Sequence, residues 1–252
     1  PSYESPVRDA ARLGAAVRAI PVDRALRLDL ARMREAARGA GLVYLCNPNN
    51  PTATVHGRDA VLGFLDAVAR DSPETTVLVD EAYHEYVDAP GYASMLALAL
   101  ERPRLIVART FSKVYGLAGL RIGYAVGHPE TIAALAPHVL NIGINGMGAA
   151  AAMASLRDTG HVEREAAANA EARRFTRRFF EGAGYTLSDA AANFVMVDLR
   201  RDVRPFQTAC REQGVLVGRL FPPLPTHARV SIGTMDEMRA ATDVFRRVLS
   251  SV

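Results

Sequence analysis

The sequence predicts an α/β fold: a mainly parallel sheet followed by a smaller C-terminal α+β domain. Three observations predict it. Short β-branched runs alternate with helical segments through the first half of the chain. The run Val77-Leu78-Val79 is apolar without interruption, as a strand covered on both faces requires. After Gly143 to Gly148 the alternation stops, and a long Ala- and Arg-rich helical stretch leads into separated strand-like runs.

The chain opens on Pro1-Ser2-Tyr3 without an initiator Met, so a longer parent polypeptide is expected. Residues 15–20 are strand-like. Residues 42–46, 76–80, 105–108 and 122–126 read as strands from their aliphatic and β-branched content. Residues 58–70 and 94–100 carry apolar side chains at i, i+3 and i+4, the helical period. A helix is expected from about 149 to 182, with a domain boundary inside it: residues 1–155 form the larger domain and 156–252 the smaller. Residues 194–199, 215–217 and 229–232 then read as strands, and 205–213 and 235–249 as amphipathic helices.

At 252 residues and 49 % hydrophobic, the chain can bury one large core or two modest ones. It has no apolar run of the ~18 residues a membrane span needs, so no membrane partner is expected. The net charge of +3 comes from scattered arginines. Arg173, Arg174, Arg177 and Arg178 recur at helical spacing and read as a solvated face, so no nucleic-acid partner is expected. Cys46 and Cys210 make no disulfide framework and fit a reducing cytoplasm. The histidines have no metal-ligand spacing, and no metal is expected.

Of the 30 lysine-plus-arginine residues only Lys113 is lysine. A guanidinium stays charged, whereas a shielded lysine amine can lose its proton and attack a carbonyl. A genome poor in lysine codons explains the rarity. It does not explain why the survivor stands in Thr110-Phe111-Ser112-Lys113, just before a Gly-rich stretch. Asp80 ends the most apolar strand, where parallel folds gather functional groups. Glu81 beside it should face the other way and is left out of the site.

Four segments carry a resemblance. Asn47-Pro48-Asn49-Asn50-Pro51-Thr52, Val79-Asp80-Glu81-Ala82-Tyr83, Thr110-Phe111-Ser112-Lys113 with Arg121, and Ala228-Arg229-Val230-Ser231-Ile232-Gly233-Thr234 resemble, in this order, the fold type I pyridoxal-phosphate aminotransferases. Within these the likeness is nearest to the histidinol-phosphate aminotransferase family, and it runs the length of the chain. It implies a three-layer, mainly parallel large domain, the cofactor pyridoxal 5'-phosphate, a homodimer and a cytoplasmic enzyme of amino-acid and histidine biosynthesis. The reaction it implies moves an amino group from a small amine or amino acid, of histidinol phosphate or aromatic type, to a 2-oxo acid such as 2-oxoglutarate.

The resemblance also assigns roles. Lys113 would hold the cofactor aldehyde and then act as general base. Asp80 would face the ring nitrogen, and Asn50 and Tyr83 the phenolic oxygen. Thr110, Ser112 and Arg121 would hold the phosphate, and Tyr3 would stack on the ring. Arg229 would grip the substrate carboxylate in bidentate geometry, with Arg219 and Asn193 on the substrate side. Two converging arginines suit a phosphate-bearing amine. The register of Arg219 against the family pattern stays open.

One position departs from the family pattern, which has Gly where this chain has Ala53. If φ is positive there, alanine costs about 1 kcal/mol. By the same resemblance, family members carry further residues before the Pro-x-Tyr segment, including part of the small domain. Two other readings remain: a decarboxylase or lyase using the same cofactor, and an aminotransferase-like domain of a transcription regulator.

Overall fold

The computed structural model describes residues 1–139 and 143–251. The order of elements is α1 (Ser5–Arg12), α2 (Leu30–Ala37), β1 (Leu42–Cys46), α3 (Arg58–Asp71), β2 (Thr76–Asp80), α4 (Leu96–Glu101), β3 (Leu105–Thr110), β4 (Gly123–Gly127), α5 (Pro129–Leu135), α6 (Gly146–Arg157), α7 (Thr159–Gly182), β5 (Thr186–Leu187), β6 (Phe194–Asp198), α8 (Val203–Glu212), β7 (His227–Ser231) and α9 (Met235–Ser251).

The first sheet has the order β1-β2-β3-β4. Its β1·β2 and β2·β3 ladders are parallel, and β4 returns antiparallel to β3. The fold is therefore the mainly parallel α/β class expected. The parallel strands are held by burial: Leu45, Val77, Val79, Leu105 and Val107 form one core with Val61, Phe64, Leu65 and Val68 of α3. Those four positions follow the i, i+3, i+4, i+7 period, so α3 turns one apolar stripe inward. Each such side chain contributes about 1.5–3 kcal/mol by leaving water.

The second sheet, β5-β6-β7, is antiparallel throughout. Phe180 of α7, Phe206 of α8 and Phe245 of α9 pack with Val195 and Val197 of β6 into a separate core. A third, smaller cluster joins the two: Ala53, Tyr83, Tyr86 and Val114 meet Ala192 and Phe194. Arg173 of α7, expected on a solvated face, is instead buried and braces this junction. Its buried guanidinium donates to the carbonyls of Tyr86 (3.4 Å) and Ala192 (3.1 Å) and pairs with Asp88 at 2.7 Å.

Several expected elements are corrected. Residues 15–20 are irregular and almost wholly exposed, because no strand lies beside them to pair with. Residues 215–217 are not a strand either; this stretch reaches β7 through a single backbone bond, Gly218 N–H to Arg229 O at 3.0 Å. The long helix is two, α6 and α7. They break at Asp158, whose side chain accepts from the His161 N–H and so caps the second. The fourth strand lies one residue later than expected, as β4.

Candidate active site

Parallel strands deliver their C-terminal ends to one edge of a sheet, and the loops that follow meet there. The loop after β1 carries Asn50, β2 ends in Asp80 with Tyr83 just beyond, and the turn after β3 carries Lys113. The register pairs Cys46 with Asp80 and Asp80 with Ala108, which sets the three loops side by side.

The loop after β1 is fixed by its own side chains. Asn47 accepts from the His56 N–H (2.8 Å) and donates to the His56 carbonyl (3.1 Å). Asn49 donates to Thr52 Oγ1 at 2.8 Å, and the Thr54 hydroxyl donates to the Leu26 carbonyl at 2.8 Å. Ala53 sits at φ 61°, in the left-handed region where alanine is disfavoured. The lysine turn is held likewise. Thr110 Oγ1 accepts from the Ser112 N–H (3.0 Å), Gly116 N–H donates to the Lys113 carbonyl (2.9 Å), and the His161 ring lies 3.1 Å from the Val114 carbonyl.

A cavity of about 410 Å³ opens over these loops. Among the expected site residues Tyr3, Asn50, Tyr83, Lys113, Asn193, Arg219 and Arg229 line it. Lys113 Nζ lies 5.2 Å from the centre of the Tyr83 ring. Burial pulls the Lys113 amine below its ordinary value, the nearby Arg229 and Arg121 charges pull the same way, and Asp80 opposes them. Asn50 Nδ2 donates to the Tyr83 hydroxyl at 3.4 Å and Asn50 Oδ1 accepts from Arg229 Nη1 at 2.9 Å. The Arg229 guanidinium is wedged 5.2 Å from both the Phe194 and Phe221 rings. Its Nε is buried without a hydrogen-bond partner.

Asp80, Thr110, Ser112 and Arg121 do not line the cavity wall. Asp80 stands behind it, close enough that its charge acts on Lys113. Thr110, Ser112 and Arg121 gather around the lysine turn, where Arg121 Nη1 reaches Ser112 Oγ at 3.5 Å. Arg121 itself is in the left-handed region at φ 55° and bonds the Ala118 carbonyl at 2.9 Å. Glu81 points away from the cavity. Its buried carboxylate is held by Ser94 (2.6 Å), the Met95 N–H (2.7 Å) and Arg109 (2.9 Å).

Several cavity residues escaped sequence reasoning: Ser2, Glu4, Ser5 and Arg8 of the N-terminal segment, and Phe194, Phe221 and Ser231. Glu4 pairs with Arg219 at 2.7 Å, and Arg219 lies over the Phe221 ring at 4.4 Å. Tyr44 was also missed; its hydroxyl donates to Asp80 Oδ2 at 2.6 Å. Strand alternation held its signal, since Tyr44 and Cys46 share a face and Cys46 is in register with Asp80. Among the described residues no group of three His, Cys, Asp or Glu could hold a metal ion. No described helix is long and apolar enough to cross a membrane.

Comparison with known proteins adds a family match, two relatives and a solved structure. The family model described as aminotransferase class I and II matches residues 1–245. The chain is 38 % identical over 239 residues to a histidinol-phosphate aminotransferase of Symbiobacterium thermophilum, covering 94 % of this chain and 64 % of that protein. It is 37 % identical over 206 residues to an aromatic amino acid aminotransferase of Thermobifida fusca, covering 81 % and 55 %. Its structure superposes with TM-score 0.90 and 29 % identity on a histidinol-phosphate aminotransferase of Sinorhizobium meliloti, solved in complex with pyridoxal 5'-phosphate, over 99 % of this chain and 68 % of that one. The chain spans about three fifths of the length of the curated relatives it matches.

Proposed function

The chain belongs to the class I and II aminotransferases, and we propose that it forms the greater part of a pyridoxal 5'-phosphate-dependent enzyme that moves an amino group from a small amine or amino acid to a 2-oxo acid. The donor we assign is of histidinol phosphate or aromatic type, in keeping with the relatives' names. The carrying observation is the placement of Lys113 in a cavity that also holds Asn50, Tyr83 and Arg229.

The residues fit the cofactor by the chemistry of their donors. Asp80 would face the ring nitrogen, Asn50 Nδ2 and the Tyr83 hydroxyl the phenolic oxygen, and Tyr3 one face of the ring. Thr110, Ser112 and Arg121 would hold the phosphate, a dianion that suits hydroxyls and a guanidinium fork. When bound, this cofactor accepts the electron pair released as a bond at the substrate Cα breaks.

The chain's own groups supply the rest. Burial disfavours the charged form of Lys113 and so favours the neutral amine with its free electron pair. That pair would take a proton from the substrate Cα, and the ammonium so formed would pass it to the cofactor's aldehyde-derived carbon, as a positioned general acid–base does. Arg229 offers its guanidinium, at the cavity wall, to the substrate carboxylate. Two aromatic rings fix the plane of its guanidinium, which leaves it little to reorganise on binding. Arg219 and Asn193 extend the polar wall toward the mouth, where a second anionic group of the substrate would lie.

We assign the first sheet to a large domain of residues 1–155 and the second to a small domain of residues 156–252, with a homodimer in the cytoplasm as the working form. The test uses the full polypeptide that carries these residues. Added pyridoxal 5'-phosphate should give a visible absorbance band that disappears in Lys113→Ala. An amino donor with 2-oxoglutarate should then give glutamate. A band that survives in Lys113→Ala ends the assignment of the lysine; carbon dioxide in place of glutamate ends aminotransfer.

A further inference from the structure

Tyr44 lies on β1, behind the cavity, and its hydroxyl donates to Asp80 Oδ2 at 2.6 Å. That lies within the usual range of a charge-assisted hydrogen bond from a hydroxyl to a carboxylate. The other oxygen, Oδ1, accepts from the Ala82 N–H at 3.0 Å. Two donors on two oxygens fix the plane of the carboxyl group and stop it rotating. Each oxygen keeps acceptor capacity for a further partner. The arrangement follows from the strands: Cys46 is paired with Asp80 in a parallel ladder, and Tyr44, two residues back, shares its face.

From this geometry we infer that Tyr44 is a positioning residue for the cofactor: it aims the Asp80 carboxylate at the ring nitrogen of pyridoxal 5'-phosphate and keeps it ionised. The inference rests on the reading of Asp80 given above. Tyr44 does not line the cavity and so acts only through Asp80. The physical need is clear. Burial pushes the Asp80 carboxyl up, toward the neutral form that would not hold a protonated ring. The Tyr44 hydroxyl is first among the groups that pull it back, followed by the Ala82 N–H and Lys113. Burial also pushes the Tyr44 phenol far above its ordinary value, so it remains a donor at every working pH.

The charged and titratable groups facing Asp80 are Tyr44 and Cys46 from β1, Glu81 and Tyr83 from the segment after β2, and Lys113 from the turn after β3. Only Tyr44 among them donates a hydrogen bond to its carboxylate in this structure. Losing that donor therefore has a signature separate from general loss of packing.

The experiment is a double-mutant cycle with Tyr44→Phe and Asp80→Asn in the full polypeptide, read by equilibrium binding of pyridoxal 5'-phosphate. It is joined by a carboxyl-carbon NMR titration of Asp80 in cofactor-free protein. Tyr44→Phe should weaken binding about tenfold and raise the Asp80 midpoint by about one pH unit. Asp80→Asn should weaken binding further, and the double variant should match Asp80→Asn alone. An equal Tyr44→Phe effect in the Asp80→Asn background, or an unmoved midpoint, overturns the inference. Unweakened binding in Asp80→Asn overturns instead the reading of Asp80 beneath it. Should Tyr44→Phe fail to fold, 3-fluorotyrosine at position 44, a stronger donor, must lower the midpoint; no movement overturns the inference equally.

Discussion

Arg229 and Asn50, 179 residues apart in sequence, share a 2.9 Å hydrogen bond from Nη1 to Oδ1. The bond joins a strand of the antiparallel sheet to a loop of the parallel one. It also relays position: the same Asn50 side chain donates to the Tyr83 hydroxyl, so the arginine and the phenol are set by one amide. The guanidinium is thereby fixed on one edge while its Nε stays buried and without a partner.

An arginine so placed is expected to recognise an anion by shape as well as charge. Arg229→Lys keeps the charge and loses the fork. It should cost about a hundredfold in kcat/KM for an anionic amino donor, carried mainly by KM, from the loss of one to two charged hydrogen bonds. Steady-state kinetics with a carboxylate-bearing amine and its decarboxylated analogue check this. An equal loss for both substrates would mean that Arg229 serves the fold and not the anion.

Lys113 gives a stability prediction independent of catalysis. Its folded-state value lies below the ordinary 10.5, so the native protein resists protonating it. The resulting penalty is fully present below the folded value and vanishes above 10.5. Cofactor-free Lys113→Met should therefore melt roughly 2–4 °C higher than the parent at pH 7. The advantage should shrink as pH rises toward 10.5. Calorimetry over that range decides; a gap that does not change with pH would show that the amine is not penalised by burial.

The Glu81–Arg109 pair bears on stability alone. Glu81 is 1 % exposed and Arg109 14 %, with Nη2 and Oε2 2.9 Å apart. Removing one partner of such a pair leaves a buried charge uncompensated, at a cost of about 3–5 kcal/mol. Arg109→Met should show that loss in urea unfolding. Adding Glu81→Gln should recover most of it, because the amide can still serve Ser94 and the Met95 N–H. A double variant no more stable than Arg109→Met would contradict the argument.

What could be read from the sequence depended on which constraint was local. Strands β1, β2 and β3 were legible because their sequences are short, mostly apolar and β-branched runs between helical or turn segments. Lys113 stood out because no other lysine competes with it. Ala53 is an instructive case: a conditional penalty read from a missing glycine meets an observed φ of 61°. Tyr44 was passed over because a strand tyrosine is most often an ordinary core side chain, although strand alternation sets it on the face of Cys46 and Asp80. The failure of residues 215–217 to form a strand was not legible. Their apolar content is adequate, but the stretch meets β7 only through Gly218, where an added Cβ would lie 2.8 Å from the Arg229 carbonyl oxygen. The break at Asp158 could have been read, because an Asp before Thr-Gly is a common helix cap.

Glu4 and Arg219 make the last prediction. Their side chains are 62 % and 53 % exposed, so the 2.7 Å pair itself stabilises the fold by at most about 1 kcal/mol. Its position matters more than its strength. It sits on the cavity lining, where a substrate's second anionic group would compete with Glu4 for the same guanidinium. Glu4→Gln should leave the melting temperature unchanged within about 1 °C and lower KM for a doubly anionic amine about two- to fivefold. The gain should fade with added salt, because exposed charges are screened over about 10 Å at 0.1 M. A KM that rises instead would assign Glu4 the opposite role, holding the cationic end of the donor, and Arg219 would then be its anchor and not the anion's.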